Sequence, residues 1–197
     1  IATSNQKIDD ELQKFAKKNK IRCFRGSEEN VLQRVTKAAS KYNADAILQV
    51  SGDSIFLDSE ISDQMISIYK KNKVDVVVDY WNSFPSGINA TILSKKALNL
   101  SMRYSKNIES VSDYIFKNTK KFKTIYYYPK PSEFFPNLNL CLDEYKDLLI
   151  IKKFINSDKK NNYTCSQIVS LAKKNLNWLN LNSSVKRRSK KKISTYV

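Results

Sequence analysis

The stretch Ala46-Ile47-Leu48-Gln49-Val50-Ser51-Gly52-Asp53-Ser54-Ile55-Phe56-Leu57-Asp58 decides how this chain reads. Its opening run, 46–50, is apolar and of strand length, and reads as a buried strand. The run passes into Ser51-Gly52-Asp53, after which Asp58 or Ser59 has the chemistry to cap a new helix. Beyond it, Ile61, Met65, Ile66 and Ile68-Tyr69 recur at helical spacing. In an open α/β sheet, ligands bind at the carboxyl ends of strands. Gly52 lets the backbone turn sharply there, and Asp53 can aim a carboxylate into the crevice. Such a position suits Mg²⁺, which is commonly held by one or two carboxylates plus substrate phosphates. The bland alternative is that Asp53 only closes the turn.

Working outward, the chain alternates strands and helices. Upstream, Ile1-Ala2-Thr3 reads as a strand end, and a helix runs from Asp9 or Asp10 to about Lys18 with Leu12, Phe15 and Ala16 inward. A strand over Ile21–Phe24 follows, then a turn Arg25–Glu29 opening a helix whose stripe is Val31, Leu32, Val35, Ala38 and Ala39. Ser27 is placed to cap that helix, whose free N–H groups favour an anion. Downstream, Val74–Val78 is a β-branched strand, Ile88–Leu93 another, and Ser94 caps a helix over Lys95–Leu100. A helix over Ile108–Phe116, a strand over Phe122–Tyr128 and a short strand over Leu138–Leu142 come next. Asp143 caps a helix through about Ile155, and helices over Ser166–Lys174 and Trp178–Asn182 close the series. The alternation argues for an α/β fold. We divide the chain into an α/β domain over 1–155, a helical extension over 156–185 and a basic tail over 186–197.

Composition narrows the classes. A chain of 197 residues, 41% of them hydrophobic, can bury a full core. The net charge of +16 invites a polyanion partner. Lys is scattered over most of the chain, however, which favours a charged surface over a single binding patch and leaves no reason to expect a specific nucleic acid. Three widely spaced cysteines and no histidine exclude a structural zinc site of ordinary spacing. The odd thiol count fits a reducing cytoplasm. No apolar run approaches the ~20 residues of a membrane span, and no signal peptide is visible. The chain opens on Ile1 as if inside a strand already under way, so we expect that its natural start is missing.

The segment Arg22-Cys23-Phe24-Arg25-Gly26-Ser27-Glu28-Glu29-Asn30-Val31-Leu32-Gln33-Arg34 resembles one found in sugar cytidylyltransferases of the spore-coat polysaccharide type. So do Val50–Asp58, the Pro85-Ser86-Gly87 turn, Glu109-Ser110-Val111 with Tyr114-Ile115, Leu138–Asp147 and the Asn182 that closes the last helix. The group is related to the synthetases that activate Kdo and sialic acids. No one motif is decisive, but their order and spacing cover the chain to about Lys186.

The resemblance implies a three-layer, Rossmann-like nucleotide-diphospho-sugar transferase fold with a mixed, mainly parallel sheet. It implies transfer of a cytidylyl group from CTP to a sugar hydroxyl, with Mg²⁺ as cofactor and pyrophosphate as product. Asp53 becomes the catalytic carboxylate and a metal ligand, and Asn89 stands where the family has its second metal carboxylate. Arg25, Gly26, Ser27, Arg34 and Gly52 fall at the nucleotide, and Trp81 and Gly87 on the sugar side. The Pro-rich segment 129–136 lies where relatives send an arm to a partner subunit, which suggests a homodimer.

The departures are specific. The family's basic, glycine-containing phosphate loop precedes the residues present here. Thr91, Ile55 and Ser110 stand where the family has an acid, a proline and a histidine, and Gln49 where it often has arginine. Two other readings follow: a degenerate relative serving as a binding or assembly subunit, and a basic protein that binds polyanions without selectivity. Asp143 and Asp147 read as a cap and a helix-face charge. The run Tyr126-Tyr127-Tyr128 alternates faces, so at least one ring is core. The tail Lys186–Lys192 reads as a solvated terminus.

Overall fold

The structure, a computed structural model, describes residues 1–80, 83–88, 90–106, 108–157 and 163–187. Its elements run β1 (Ala2–Ser4), α1 (Asp10–Lys18), β2 (Phe24–Gly26), α2 (Val31–Lys41), β3 (Ala46–Gln49), α3 (Ser59–Asn72) and β4 (Val76–Asp79). Then come β5 (Thr91–Ser94), α4 (Lys95–Tyr104), α5 (Asp113–Lys117), β6 (Thr124–Tyr127), α6 (Tyr145–Ser157) and α7 (Cys165–Lys174). This is the α/β alternation the sequence predicts. β1 and β2 pair in parallel, with Thr3 opposite Arg25. The other strands form a sheet of order β3-β5-β4-β6, in which β4 and β6 are parallel. A bridge of the opposite sense joins Ser54 to Cys141, so pairing of both kinds is present. The chain forms two compact units, residues 1–47 with 93–123 and residues 48–92 with 124–197. Among the described residues no helix is long and apolar enough to cross a membrane. Trp81, Asn89 and the tail from 188 onward lie outside the described residues.

In the first unit, α2 lies against α4, β1 and β2. Leu32 of α2, Ala97 and Leu98 of α4 and Ile115 of α5 are buried. Four local readings change. The second strand is Phe24–Gly26, not Ile21–Phe24. The reason is that the turn closing α1 runs on past Lys18: Lys20 takes φ +58° and the Ile21 N–H returns to the Ala16 carbonyl. Arg25 and Gly26 are therefore strand residues. The cap of α2 is Asn30, whose Oδ1 accepts from the Gln33 N–H at 2.8 Å, while Ser27 Oγ accepts from the Asn30 N–H. The helix near 108–116 is confined to α5, because the Ile108 carbonyl is drawn off to the Leu32 N–H at 3.0 Å. On α1 only Ala16 is buried, and Leu12 and Phe15 are exposed rather than inward.

In the second unit the β-branched run of β4 is fully buried, as its composition predicts. β3 is only half-buried along its length, because it is the first strand in the sheet order and has one sheet neighbour. Phe154 is buried and packs edge-on against Phe56 and Trp178, with ring centroids 5.9 and 5.3 Å apart. Of the three tyrosines, Tyr127 is the core ring: it stacks on Phe84 and donates its hydroxyl to Gln64 Oε1 at 2.5 Å. Leu138–Leu142 makes single bridges rather than a strand, through Asn139 to Ser86 and Cys141 to Ser54.

Two carboxylates tie this unit together. Asp58 caps α3 through Oδ1, accepting from the Ile61 N–H at 3.0 Å. Its Oδ2 accepts from the Cys165 N–H at the start of α7, at 2.6 Å and 107 residues away. Asp147 is no surface charge on a helix face; it is wholly buried. It accepts from Asn182 Nδ2 at 2.8 Å, from the Asp143 and Glu144 N–H groups, and from both Nη atoms of Arg187. Asp143 therefore does not head α6 with its own side chain. Its N–H is held by Asp147, and its carboxylate pairs with Arg187 at 3.1 Å.

Candidate functional site

The residues singled out in the sequence fall into two groups, one in each unit. In the second unit, β3 ends at Gln49 and the chain turns through Ser51–Asp53, closed by a Ser54 N–H bond to the Ser51 carbonyl at 3.1 Å. The Asp53 carbonyl is engaged by the Leu142 N–H at 3.0 Å, which fixes the backbone beneath the side chain. Asp53 Oδ1 and Gln49 Oε1 are both buried and have no hydrogen-bond partner among the described residues. Buried polar atoms in folded proteins are nearly always satisfied, so each orphaned acceptor marks a place for a donor or a cation. Gly52 is not there for a strained turn. It lacks a positive φ, and a Cβ on it would meet nothing within 4 Å, so its contribution is open space.

Gly87 has the opposite character. Its φ is +86°, and a Cβ would lie 2.8 Å from the Leu140 carbonyl carbon and 2.9 Å from the Cys141 nitrogen. Glycine is required there for close backbone approach. Among the described residues no group of three or more His, Cys, Asp or Glu could hold a metal. A dedicated protein cage is thus absent from them, while the orphaned Asp53 oxygen fits an ion such as Mg²⁺ that takes few protein ligands.

In the first unit, Asn5, Gln6, Arg25, Gly26, Ser27, Glu28, Glu29, Gln33 and Lys37 line a cleft of about 470 Å³. That volume is in the range of small-molecule sites. Of the two arginines expected at the nucleotide, Arg25 uses Nε and both Nη atoms on the protein, whereas Arg34 uses only Nη1 and its buried Nε has no partner among the described residues. Arg25 donates to the Ser4 carbonyl, to Gln13 Oε1 at 2.8 Å, to the Gln6 carbonyl at 2.7 Å and to Asp10 Oδ1 at 3.0 Å. Arg34 Nη1 holds the Ser27 carbonyl at 2.5 Å and the Glu28 carbonyl at 3.2 Å. Both guanidiniums brace the backbone around the cleft. Nearby, Asp9 accepts from the Ser4 and Thr3 hydroxyls, which with the Ser4 N–H hold its carboxyl below the usual range. The N-terminus of α2 offers little to an anion, since the Leu32 and Gln33 N–H groups already serve Ile108 and Asn30.

The sequence reading missed the cleft's unengaged groups. The side chains of Asn5, Gln6, Glu28, Glu29, Gln33 and Lys37 make no hydrogen bond or ion pair with the described residues. One signal was available: Gln33 and Lys37 are four apart, hence on one face of α2.

Comparison with known proteins identifies the family. Residues 1–130 match the family model described as Cytidylyltransferase. The chain is 28% identical over 181 residues to the spore coat polysaccharide biosynthesis protein SpsF of Bacillus subtilis, covering 89% of this chain and 74% of that protein. It is 26% identical over 196 residues to the uncharacterized protein MJ1063 of Methanocaldococcus jannaschii, covering 98% of this chain and 80% of that protein. A cytidylyltransferase structure from Leptospira borgpetersenii superposes with a TM-score of 0.84 at 25% identity, covering 93% of this chain and 79% of the other. The resemblance read from the motifs is borne out, and the chain belongs to the cytidylyltransferase family, which makes it a nucleotidyltransferase.

Proposed function

We propose that this protein transfers a cytidylyl group from CTP to a sugar hydroxyl in surface polysaccharide synthesis. The observation that carries the reading is the buried, unpartnered Asp53 oxygen in the turn after β3, in a chain of this family. The similarity to SpsF supports the polysaccharide setting. In the reaction, the sugar oxygen bonds to the α-phosphorus of CTP. The bond from that phosphorus to the oxygen bridging the α- and β-phosphates breaks, pyrophosphate leaves with the electron pair, and the hydroxyl proton passes to water. Such transfers demand positioning and charge stabilisation more than covalent participation by the protein.

Mg²⁺, when bound, would offset the triphosphate charge; Asp53 would hold it, with the Gln49 and Asn89 amide oxygens as further donors. The Leu142 N–H bond to the Asp53 carbonyl keeps that carboxylate in place. Three cysteines outside any disulfide are in keeping with the cytoplasm as the site of reaction. The test is calorimetric binding of CTP with and without Mg²⁺, against ATP, GTP and UTP at low and moderate salt. We expect selective, metal-dependent CTP binding, weakened at least tenfold in Asp53→Asn. Undiminished metal-dependent binding in that variant would overturn the role of Asp53. Equal, salt-sensitive binding of all four nucleotides would instead favour polyanion binding driven by the +16 charge.

The degenerate-relative reading has one observation in its favour, the lack of an acidic cluster among the described residues. It predicts CTP binding with no pyrophosphate release for any sugar.

A further inference from the structure

We propose that Asn182 and Arg187 are positioning residues for Asp53, acting on it through the strip of chain at residues 139–143. This rests on the reading of Asp53 as a metal ligand and goes further in naming what holds that carboxylate in place.

All the parts lie within the second unit. The strip makes single bridges only, so no ladder of its own fixes it. Its middle is tied to the two turns that carry the motif residues. The Leu142 N–H donates to the Asp53 carbonyl at 3.0 Å, and Cys141 bridges Ser54. The Leu140 N–H donates to the Ser86 carbonyl at 3.0 Å, and the backbone of Leu140 and Cys141 comes so close to Gly87 that a methyl there would sit 2.8–2.9 Å from it. Packing this close transmits displacement, so a shift of the strip carries the Asp53 turn with it.

The strip is held by residues about 40 positions further along the chain. At its start, Asn182 Nδ2 donates to the Asn139 carbonyl at 3.0 Å and to Asp147 Oδ1 at 2.8 Å. At its end, Arg187 Nη1 donates to Asp143 Oδ2 at 3.1 Å and to Asp147 Oδ2 at 2.9 Å, and Nη2 donates to Asp147 Oδ1. Asp147 is wholly buried and also accepts from the Asp143 N–H. Satisfying a buried carboxylate would require only the bonds to Asp147. Asn182 reaches past it to Asn139, and Arg187 reaches past it to Asp143, so both ends of the strip are fastened to one buried anchor. The segment bearing the two donors is itself closed by a turn, the Val185 N–H donating to the Asn182 carbonyl at 3.1 Å. Groups that orient a metal ligand from behind in this way set its affinity without touching the ion.

The test uses the whole chain, with Mn²⁺ alone as the probe metal, titrated by electron paramagnetic resonance, and amide hydrogen exchange followed by NMR. The variants are Arg187→Lys, Asn182→Ala, Asp53→Asn and Thr164→Ala. Arg187→Lys leaves a cation beside Asp147, so folding is not at risk, but an ammonium lacks the rigid fork that joins two carboxylates. It decides the matter alone if Asn182→Ala does not fold. Thr164→Ala removes the cap of α7, in the same unit but off the strip, and controls for loss of stability by itself. The Mn²⁺ binding that Asp53→Asn abolishes is that of the site. We expect Arg187→Lys and Asn182→Ala to weaken that component by about 3- to 10-fold, less than the roughly 10–100-fold of a group bonded directly to a ligand. Both should speed exchange at the Leu140 and Leu142 amides and leave Val77 and Val78 of β4 unmoved, a local opening and not a global one. Thr164→Ala should change neither reading. Unchanged Mn²⁺ affinity in Arg187→Lys overturns the inference while leaving the role of Asp53 standing. So does an equal loss in Thr164→Ala, or exchange that speeds as much in β4 as at Leu142, since the two residues would then serve stability alone. Mn²⁺ binding that is the same in wild type and Asp53→Asn overturns the inference together with the reading it rests on.

Discussion

Arg187→Met is the most informative change to make outside the candidate site. Methionine keeps the length of the stem and removes the guanidinium from a carboxylate that has no exposure to water. Burial pushes the Asp147 carboxyl up. Hydrogen bonds from Arg187 and Asn182, with the Glu144 N–H and the Arg187 charge, outweigh it and bring the group from 3.8 to about 2. That displacement is a net stabilisation of the folded chain of roughly 2–3 kcal/mol at neutral pH. Removing one partner of a buried pair costs about 3–5 kcal/mol. The Arg187 side chain keeps 27% of its exposure, which places this pair at the lower end, near 3 kcal/mol.

The sign with pH follows from the lowered folded value. The contribution is complete above the unfolded value of 3.8 and disappears as pH falls through about 2. The gap between wild type and variant should therefore be full at pH 7, about half as large near pH 3, and nearly closed below pH 2. Urea unfolding followed by Trp178 fluorescence reports on this unit, since Trp178 packs on Phe154. A gap under about 0.5 kcal/mol at pH 7, or one that does not change with pH, would show that the Asp147 carboxylate is satisfied without Arg187.

Three further outcomes follow from the geometry. Asp58→Asn should cost about 1.5–3 kcal/mol in urea unfolding: whichever way the amide turns, its NH₂ faces one of the two N–H groups that Asp58 now accepts. Gly87→Ala should cost upward of about 2 kcal/mol and lower Tm in calorimetry, because the added methyl meets backbone atoms at 2.8–2.9 Å at a positive φ. With a thiol reagent at pH 8, Cys23 and Cys141 should react in the native chain and Cys165 only on unfolding, since Cys165 is buried and burial, with Glu133 and Asp58 nearby, pushes its thiol up to about 12.

The sequence was legible where structure is set by near neighbours. Val76–Val78 declared a buried strand by being β-branched throughout, and Asp58 and Ser94 declared caps by standing just before helical periodicity. It was illegible where partners are remote. Nothing near Asp147 in sequence foretells Asn182 and Arg187, 35 and 40 residues on, so a buried hub read as a surface charge. The cap of α2 was misplaced because Ser27 and Asn30 are both good cappers, and only the three-dimensional path gives the role to Asn30. The second strand was misplaced because Ile21-Arg22-Cys23-Phe24 has strand character, yet the helical turn before it uses the Ile21 N–H. At the candidate site, the bonds of Arg25 and Arg34 to the backbone around them show only in their partners.

The Asp58 bond to Cys165 also orders events in time. At roughly 5–20 residues per second, the ribosome makes Cys165 some 5–20 seconds after Asp58, given the 107 residues between them. In that interval α3 can be capped, while the other carboxylate oxygen has only water to meet. The intervening residues 93–123 belong to the first unit, whose parts are all made before residues 124–197. When residue 123 has just been added, the β4 run is already outside the ribosome and its β6 partner is not yet made. A newly made chain thus passes through a stage in which that apolar strand needs shelter, and it is at this stage that a chaperone would have most to bind.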